Sequence, residues 1–358
     1  MKKILALLLM SSLILAAGCQ QQTTEESEGE NGENYVFDTS AEAAEEKTKE
    51  IFAMDTYMNL KAYGSSAEDA LNQCENEIKR LEGLFAVKDS NSDIYKINIG
   101  AGSVVSVNGD TAEVIKKALE FSGQTDGALD ITIYPVLKEW GFTTGEYQVP
   151  DEATISNLLQ FVDYRNVNVN GNNVNIPEAY AIDLGSVAKG YTSDKLCELL
   201  KNNGVSSALV NLGGNVQTVG TKPDGSKWTV GIQDPQDSSS YLCTIKIADR
   251  AVITSGNYER YFEQDGKKYW HIIDPKTGAP AANGLISSTI IGESGVECDA
   301  LSTALFVMGT DKAIEYCKNH KNIEAILVTD DMKIYVTDGL MDSITMTEGF
   351  SYTAIQRS

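Results

Sequence analysis

The sequence predicts an α+β fold of mixed helices and largely antiparallel sheets. Three observations carry that prediction. Helix-spaced and strand-spaced segments fall in blocks instead of alternating strictly, which argues against a doubly wound parallel sheet. One early segment places Leu71, Cys74, Ile78, Leu81 and Phe85 at intervals of three and four, the stripe of an amphipathic helix. Short β-rich runs dominate residues 208–254 and 268–291, and no tandem repeat is visible.

Taken in order, the chain opens on a basic Met1-Lys-Lys, followed by a mostly apolar, uncharged run from Ile4 to Ala17. That run falls short of the roughly 20 residues needed to span a bilayer, so it reads as a signal-peptide core. It ends in Leu15-Ala-Ala-Gly-Cys19, which resembles a bacterial lipobox with Leu15 one place earlier than usual. Residues 1–18 are then a lipoprotein signal peptide and Cys19 the lipidated first residue, anchoring the protein in the cell membrane on its extracytoplasmic face. A plain secretory signal cut near Gly18 is the simpler alternative. Residues 19–50 are polar and carry ten acidic side chains from Glu25 to Glu50, too little apolar bulk to fold and enough charge to stay extended as a tether.

The rest of the 358 residues leaves roughly 300 for one large domain or two intimate halves. We assign 51–345 to the domain and 346–358 to a C-terminal tail. Net charge is −22 with no basic stripe, which excludes nucleic acid as a partner and leaves any phosphate binding to local, metal-assisted contacts. Beyond Cys19 the five cysteines show no CxxC pair and no zinc spacing; Cys74 and Cys197 fall on apolar helix faces and read as core.

Within the domain, Ser65-Ser-Ala-Glu68 has the form of a capping box for the first helix. Residues 102–107 read as a strand, Asp110-Thr-Ala-Glu113 as the start of a helix that stops at Gly123, and 186–203 as a helix closed by Gly204. A helix pair covers about 299–319, and a hairpin pairs 325–329 with 333–337.

Polar clusters interrupt this pattern. Gly127-Ala-Leu-Asp-Ile-Thr-Ile-Tyr-Pro135 alternates Leu129, Ile131 and Ile133, suggesting a strand with Asp130 and Thr132 on its other face and Pro135 ending it. Asp183-Leu-Gly-Ser-Val-Ala-Lys-Gly190 reads as a strand–turn–helix junction whose free N–H groups and Lys189 could meet a phosphate; simple capping by Asp183 is the plainer reading. Asn211-Leu-Gly-Gly-Asn215 lets backbone approach a ligand, or is only a turn. Asp299 and Thr303 lie four apart, so a helix points both the same way. A carboxylate and a hydroxyl so placed suit Mg²⁺, unless Asp299 merely caps the helix and Thr303 bonds its own backbone. His271, in the run His271-Ile-Ile-Asp-Pro-Lys-Thr-Gly278, is one of two histidines; the other, His320, reads as a surface loop residue.

In chain order, Ala53-Met-Asp-Thr56, the 127–132 and 182–191 segments, Asn211–Asn215, Thr254-Ser-Gly-Asn-Tyr-Glu-Arg260, His271–Gly278 and Asp299–Leu305 resemble the motifs of the ApbE family, FAD:protein FMN transferases that are often lipoproteins. The resemblance covers roughly residues 50–345. It implies a single large domain that binds FAD and Mg²⁺, cleaves the pyrophosphate, and joins FMN to a threonine of an acceptor flavoprotein, releasing AMP. That acceptor would carry a Ser/Asp-Gly-Ala/Ser-Thr segment. The resemblance further implies metal contacts at Asp299, Thr303 and the Ser186 carbonyl. Flavin contacts follow at Met54, Ala128, Leu129, Asp130, Asp183, Lys189 and Ile273, with His271 beside the reaction centre. Asp183, Asp299 and His271 are the candidates for catalytic base. One departure stands out: many members carry a tyrosine after the first helix, whereas here the loop holds Lys88 and no aromatic. FAD hydrolysis to FMN and AMP, and flavin binding without catalysis, are the alternative functions.

Overall fold

The structure, a computed structural model, describes residues 45–357; the signal peptide, Cys19 and residues 20–44 of the tether lie outside the described residues. In chain order the elements are β1 (Glu46–Ala53), β2 (Thr56–Tyr63), α1 (Ala67–Phe85), α2 (Asp93–Ile99), β3 (Val104–Ser106) and α3 (Gly109–Gln124). A 3-10 turn, Ile131–Ile133, runs into α4 (Tyr134–Glu139), then come α5 (Glu152–Leu158), β4 (Asn168–Asn170), β5 (Asn173–Asn175) and α6 (Ala188–Asn202). Eight strands follow: β6 (Ala208–Leu212), β7 (Asn215–Val219), β8 (Trp228–Asp234), β9 (Asp237–Ile247), β10 (Ala251–Gly256), β11 (Tyr261–Gln264), β12 (Lys267–Trp270) and β13 (Leu285–Gly292). The helix pair α7 (Gly295–Met308) and α8 (Thr310–Asn319) precedes β14 (Glu324–Thr329), β15 (Ile334–Thr337), β16 (Ile344–Met346) and β17 (Tyr352–Ile355).

Nine strands form the main sheet in the order β1-β2-β6-β7-β10-β13-β14-β15-β17. Its pairs are antiparallel except β15 with β17, so the expected fold class holds. The central strands are covered on both faces, so the apolar residues 251–253, 290–291 and 325–328 are buried together with the polar Ser287, Ser288 and Thr289. Alternate residues separate cleanly: Ala251, Ile253, Ile290, Ala325 and Leu327 join the core beneath α7, whereas Val252, Ile291, Ile326 and Val328 join the core beneath the small sheet β16-β9-β8. A period of two along each strand thus builds two cores from one sheet. Near its β1 edge, α1 and α6 bury Leu71, Cys74, Ile78, Leu196 and Leu200 against Met58, Leu60 and Val210.

Several expectations need correction. Glu46–Glu50, assigned to the tether, are strand residues paired with β2, and Lys49 and Glu46 form ion pairs with Glu75 and Lys61. Residues 346–357, assigned to a tail over 346–358, are not one. They supply β17, and Arg357 binds Glu324 (2.6 Å) and Asp338 (2.7 Å) in a largely buried cluster. Ser66 caps α1 by position without a side-chain hydrogen bond, so no capping box forms. Helix α3 is capped by Asn108, whose side chain accepts from the Asp110 N–H.

The segment 127–135 is not a strand. Asp130 accepts from Thr132 N (2.8 Å), closing an Asx turn, and Pro135 sits in the first turn of α4, where a missing N–H costs nothing. Helix α7 begins at Gly295, four residues before Asp299, because Ser294 caps it. His320 ends α8 and stacks on Tyr316 with ring centroids 3.7 Å apart instead of lying on a free loop. The cysteines at 74, 197, 243, 298 and 317 are buried and unpaired.

Candidate active site

Helices α6 and α7 meet through two glycines. A Cβ on Gly190 would lie 2.3 Å from the Gly295 carbonyl oxygen and 2.6 Å from Asp299 Cβ, so only glycine lets the backbones approach this closely. Asp194, in the second turn of α6, fastens the contact: its carboxylate accepts from Gly295 N (2.6 Å), Val296 N (3.0 Å), Ser294 Oγ (3.0 Å) and Gln217 Nε2 (2.8 Å). The first turn of any helix leaves N–H groups without partners. In α6 one of these, Gly190 N, donates to Asp299 Oδ2 at 2.8 Å, and Asn215 Nδ2 donates to Oδ1 at 3.1 Å. The anion at this helix end is therefore a carboxylate of the chain itself. Asp299 is buried, and burial pushes its carboxyl above the ordinary aspartate range against the pull of Lys189, Gly190 and Asn215. Among the described residues it forms no ion pair.

One turn along α7, Thr303 Oγ1 lies 3.2 Å from Ser255 Oγ at the end of β10, and Ser255 Oγ lies 2.8 Å from Ser302 Oγ. Helical spacing brings Asp299 and Thr303 to one face, as the sequence requires.

His271 follows β12, held by its own strand pairing. Both its backbone N and its Nδ1 lie 3.1 Å from the Arg260 carbonyl oxygen. A carbonyl only accepts, so Nδ1 carries the proton and Nε2 keeps a free lone pair. Burial, helped by the charges of Arg260 and Lys189, pushes this imidazole down to about 4, leaving it neutral at ordinary pH. Glu259, open to water on one side but crowded by protein, is raised by that crowding to about 7, with Lys189 pulling down and Asp299 pushing up. Asp183 is raised by burial, opposed by the Gly185 N–H (2.8 Å) and the charge of Arg260. Lys189, Arg260, Glu259, His271, Asp183 and Asp299 therefore share one electrostatic neighbourhood.

The other expected positions divide. Met54 occupies the β1–β2 turn at φ +49°; its N–H donates to Glu82 (2.7 Å) and its sulfur lies 3.9 Å from Thr192 of α6. Ser186 lies in the turn entering α6. Asp183 N donates to the Ile131 carbonyl (2.9 Å), which brings the 127–135 segment beside the site. Within that segment Ala128 and Leu129 are core residues, and the Asp130 carboxylate turns inward to Thr132 and to Tyr164 N (2.9 Å). Ile273 is buried in a small cluster with Val136, Trp140, Phe142 and Ile155. Lys88 is exposed on the loop between α1 and α2. Asn215, Ser255, Glu259 and Arg260 all lie in segments that resemble the family's motifs, but none of them has a role of its own in the sequence reading.

The fold itself has known counterparts. The ApbE protein of Thermotoga maritima superposes with a TM-score of 0.78 at 33% identity, over 82% of this chain and 98% of that one. The flavin transferase ApbE of Vibrio cholerae does so with 0.75 at 27% identity, over 84% and 99%. Fold and site together define a flavin-transferring enzyme. An FAD:protein FMN transferase of Klebsiella pneumoniae is 35% identical over 265 residues, 73% of this chain and 82% of the relative. One of Vibrio cholerae is 31% identical over 338 residues, 91% and 94% of the two chains. Residues 54–327 match the ApbE family, and the chain belongs to it.

Proposed function

We propose that this enzyme transfers the FMN half of FAD to a threonine hydroxyl of an acceptor protein, with Mg²⁺ held at Asp299 and Thr303 and AMP released. The observation that carries this reading is the Asp299 carboxylate, buried without an ion-pair partner and one helical turn from a hydroxyl. Such a charge calls for a cation. The donor set is a carboxylate and a hydroxyl, to which the family resemblance adds the Ser186 carbonyl, all oxygen. Among the described residues no cluster of three His, Cys, Asp or Glu exists that would favour a softer metal. Bound there, Mg²⁺ would neutralise pyrophosphate oxygens.

The chain's own residues supply the rest. Lys189, unpaired with Asp299, is free to meet phosphate charge. The threonine oxygen attacks the FMN phosphorus, the bond to the bridging oxygen breaks, and AMP leaves with that electron pair. With Asp299 committed to the cation, Asp183 is left to take the hydroxyl proton, and His271, whose Nε2 can only accept, to hold an N–H or O–H donor of the bound FAD. Burial makes Asp183 a stronger base than a free aspartate. The lipidated Cys19 and acidic tether would hold this site near the extracytoplasmic membrane face; loss of palmitate labelling in Cys19→Ser checks that.

Mass spectrometry of an acceptor domain bearing a Ser/Asp-Gly-Ala/Ser-Thr segment, incubated with the enzyme, FAD and Mg²⁺, tests the reading. A gain of one FMN on the threonine, lost with EDTA, supports it. Free FMN and AMP without acceptor labelling would make the enzyme a hydrolase, and unchanged FAD would leave a flavin-binding protein.

A further inference from the structure

Three hydroxyls stand in line behind the proposed cation site, and the protons between them can be assigned. Ser302 is fully buried, and its Oγ lies 2.9 Å from the Asp299 carbonyl oxygen. A carbonyl cannot donate, so the single Ser302 proton is committed there. Ser302 Oγ can then only accept from Ser255, 2.8 Å away, and the single Ser255 proton is committed in turn. Toward Thr303, 3.2 Å away, Ser255 can only accept. The Thr303 proton therefore points at Ser255, and its oxygen lone pairs are left over. A chain of donors running one way polarises itself, so the oxygen at its head gains electron density.

We infer that Ser255 and Ser302 are positioning residues that hold the Thr303 hydroxyl with its proton turned into the protein and its lone pairs free for a divalent cation. The inference rests on the reading of Asp299 and Thr303 as cation ligands. The relay ends on the backbone carbonyl of Asp299, while Gly190 and Asn215 hold that residue's carboxylate. Without Ser255 the Thr303 proton loses its acceptor and is free to turn toward the cation. Without Ser302 the Ser255 proton is released to point at Thr303 and occupies one of its lone pairs.

The test is Mn²⁺ binding to the full chain, followed by electron paramagnetic resonance, with Mg²⁺ competition and the thermal midpoint of each variant measured alongside. Ser255→Ala and Ser302→Ala should each weaken Mn²⁺ binding roughly 10-fold or more, the scale on which partners of metal ligands act. Ser255→Thr, which keeps the hydroxyl, should return the affinity to within about threefold of the parent on the same scale. Ser302→Ala is the sharper variant, because it leaves both the Ser255 and Thr303 hydroxyls in place; a role in packing alone would not move its Mn²⁺ affinity. The inference is overturned if Ser255→Ala and Ser302→Ala bind Mn²⁺ as tightly as the parent. A parent chain that takes up no Mn²⁺, or whose uptake survives Asp299→Ala, overturns the cation reading itself and the inference with it.

Discussion

Asp130 and Asp299 occupy two regions that look alike in sequence and differ in the fold. Each acid is buried, each lies a few residues before a threonine, and burial raises both carboxyls. Asp130 spends its lone pairs locally: Oδ1 accepts from the Thr132 N–H and hydroxyl, and Oδ2 from Tyr164 N. Asp299 takes one bond per oxygen, from donors 84 and 109 residues away. A carboxylate offers about four acceptor positions, so Asp130 retains one and Asp299 two. An acid closed on its own turn is scaffold. An acid held open by distant donors has room for a ligand.

The largest effect that could break this contrast is on transfer. Asp299→Asn keeps an acceptor for Gly190 N but loses the charge, and FMN transfer should fall on the order of 10³-fold with the fold retained. Equal activity, read by acceptor mass, would put Asp299 on the scaffold side. Lys189→Met should lower the rate by about 10²-fold with an unchanged thermal midpoint.

Next come changes in stability. Gly190→Ala drives a methyl into Gly295 and Asp299, and should cost about 1–3 kcal/mol, seen as a lower urea midpoint. Asp130→Ala should cost roughly 1–2 kcal/mol through the lost turn while transfer per folded molecule changes little. A large loss of transfer without destabilisation would move Asp130 to the ligand side.

The last effect is a pH slope. His271 titrates near the ordinary value of about 6.5 when unfolded and at about 4 in the fold. The folded state therefore disfavours the charged ring. The stability His271 contributes is complete above pH 6.5 and lost as pH falls toward 4. His271→Gln should flatten this part of the acid limb in urea unfolding.

Much of this was readable from residue order. The α1 stripe, the end of α6 at Gly204 and the 325–337 hairpin follow from local spacing, whereas the motifs holding Asp183, Lys189, His271, Asp299 and Thr303 were legible through their order, which resembles that of the ApbE family. The alternation at 129–133 misled because an Asx turn and an N-terminal proline override it. Asn215, Ser255 and Ser302 were not readable as partners, since their hydrogen bonds join positions 47 to 84 residues apart or complete a chain whose direction depends on a neighbour's carbonyl.

The Gly190–Asp299–Asn215 junction also has a kinetic consequence. Its three members are brought together across long stretches of chain, and closing such loops is slow compared with forming a hairpin or a helix turn. On refolding, helix and hairpin signals should return first and cation affinity last. A cation held at Asp299 would then bind only once the α6–α7 crossing is native, so an incompletely folded chain would be silent instead of aberrantly active.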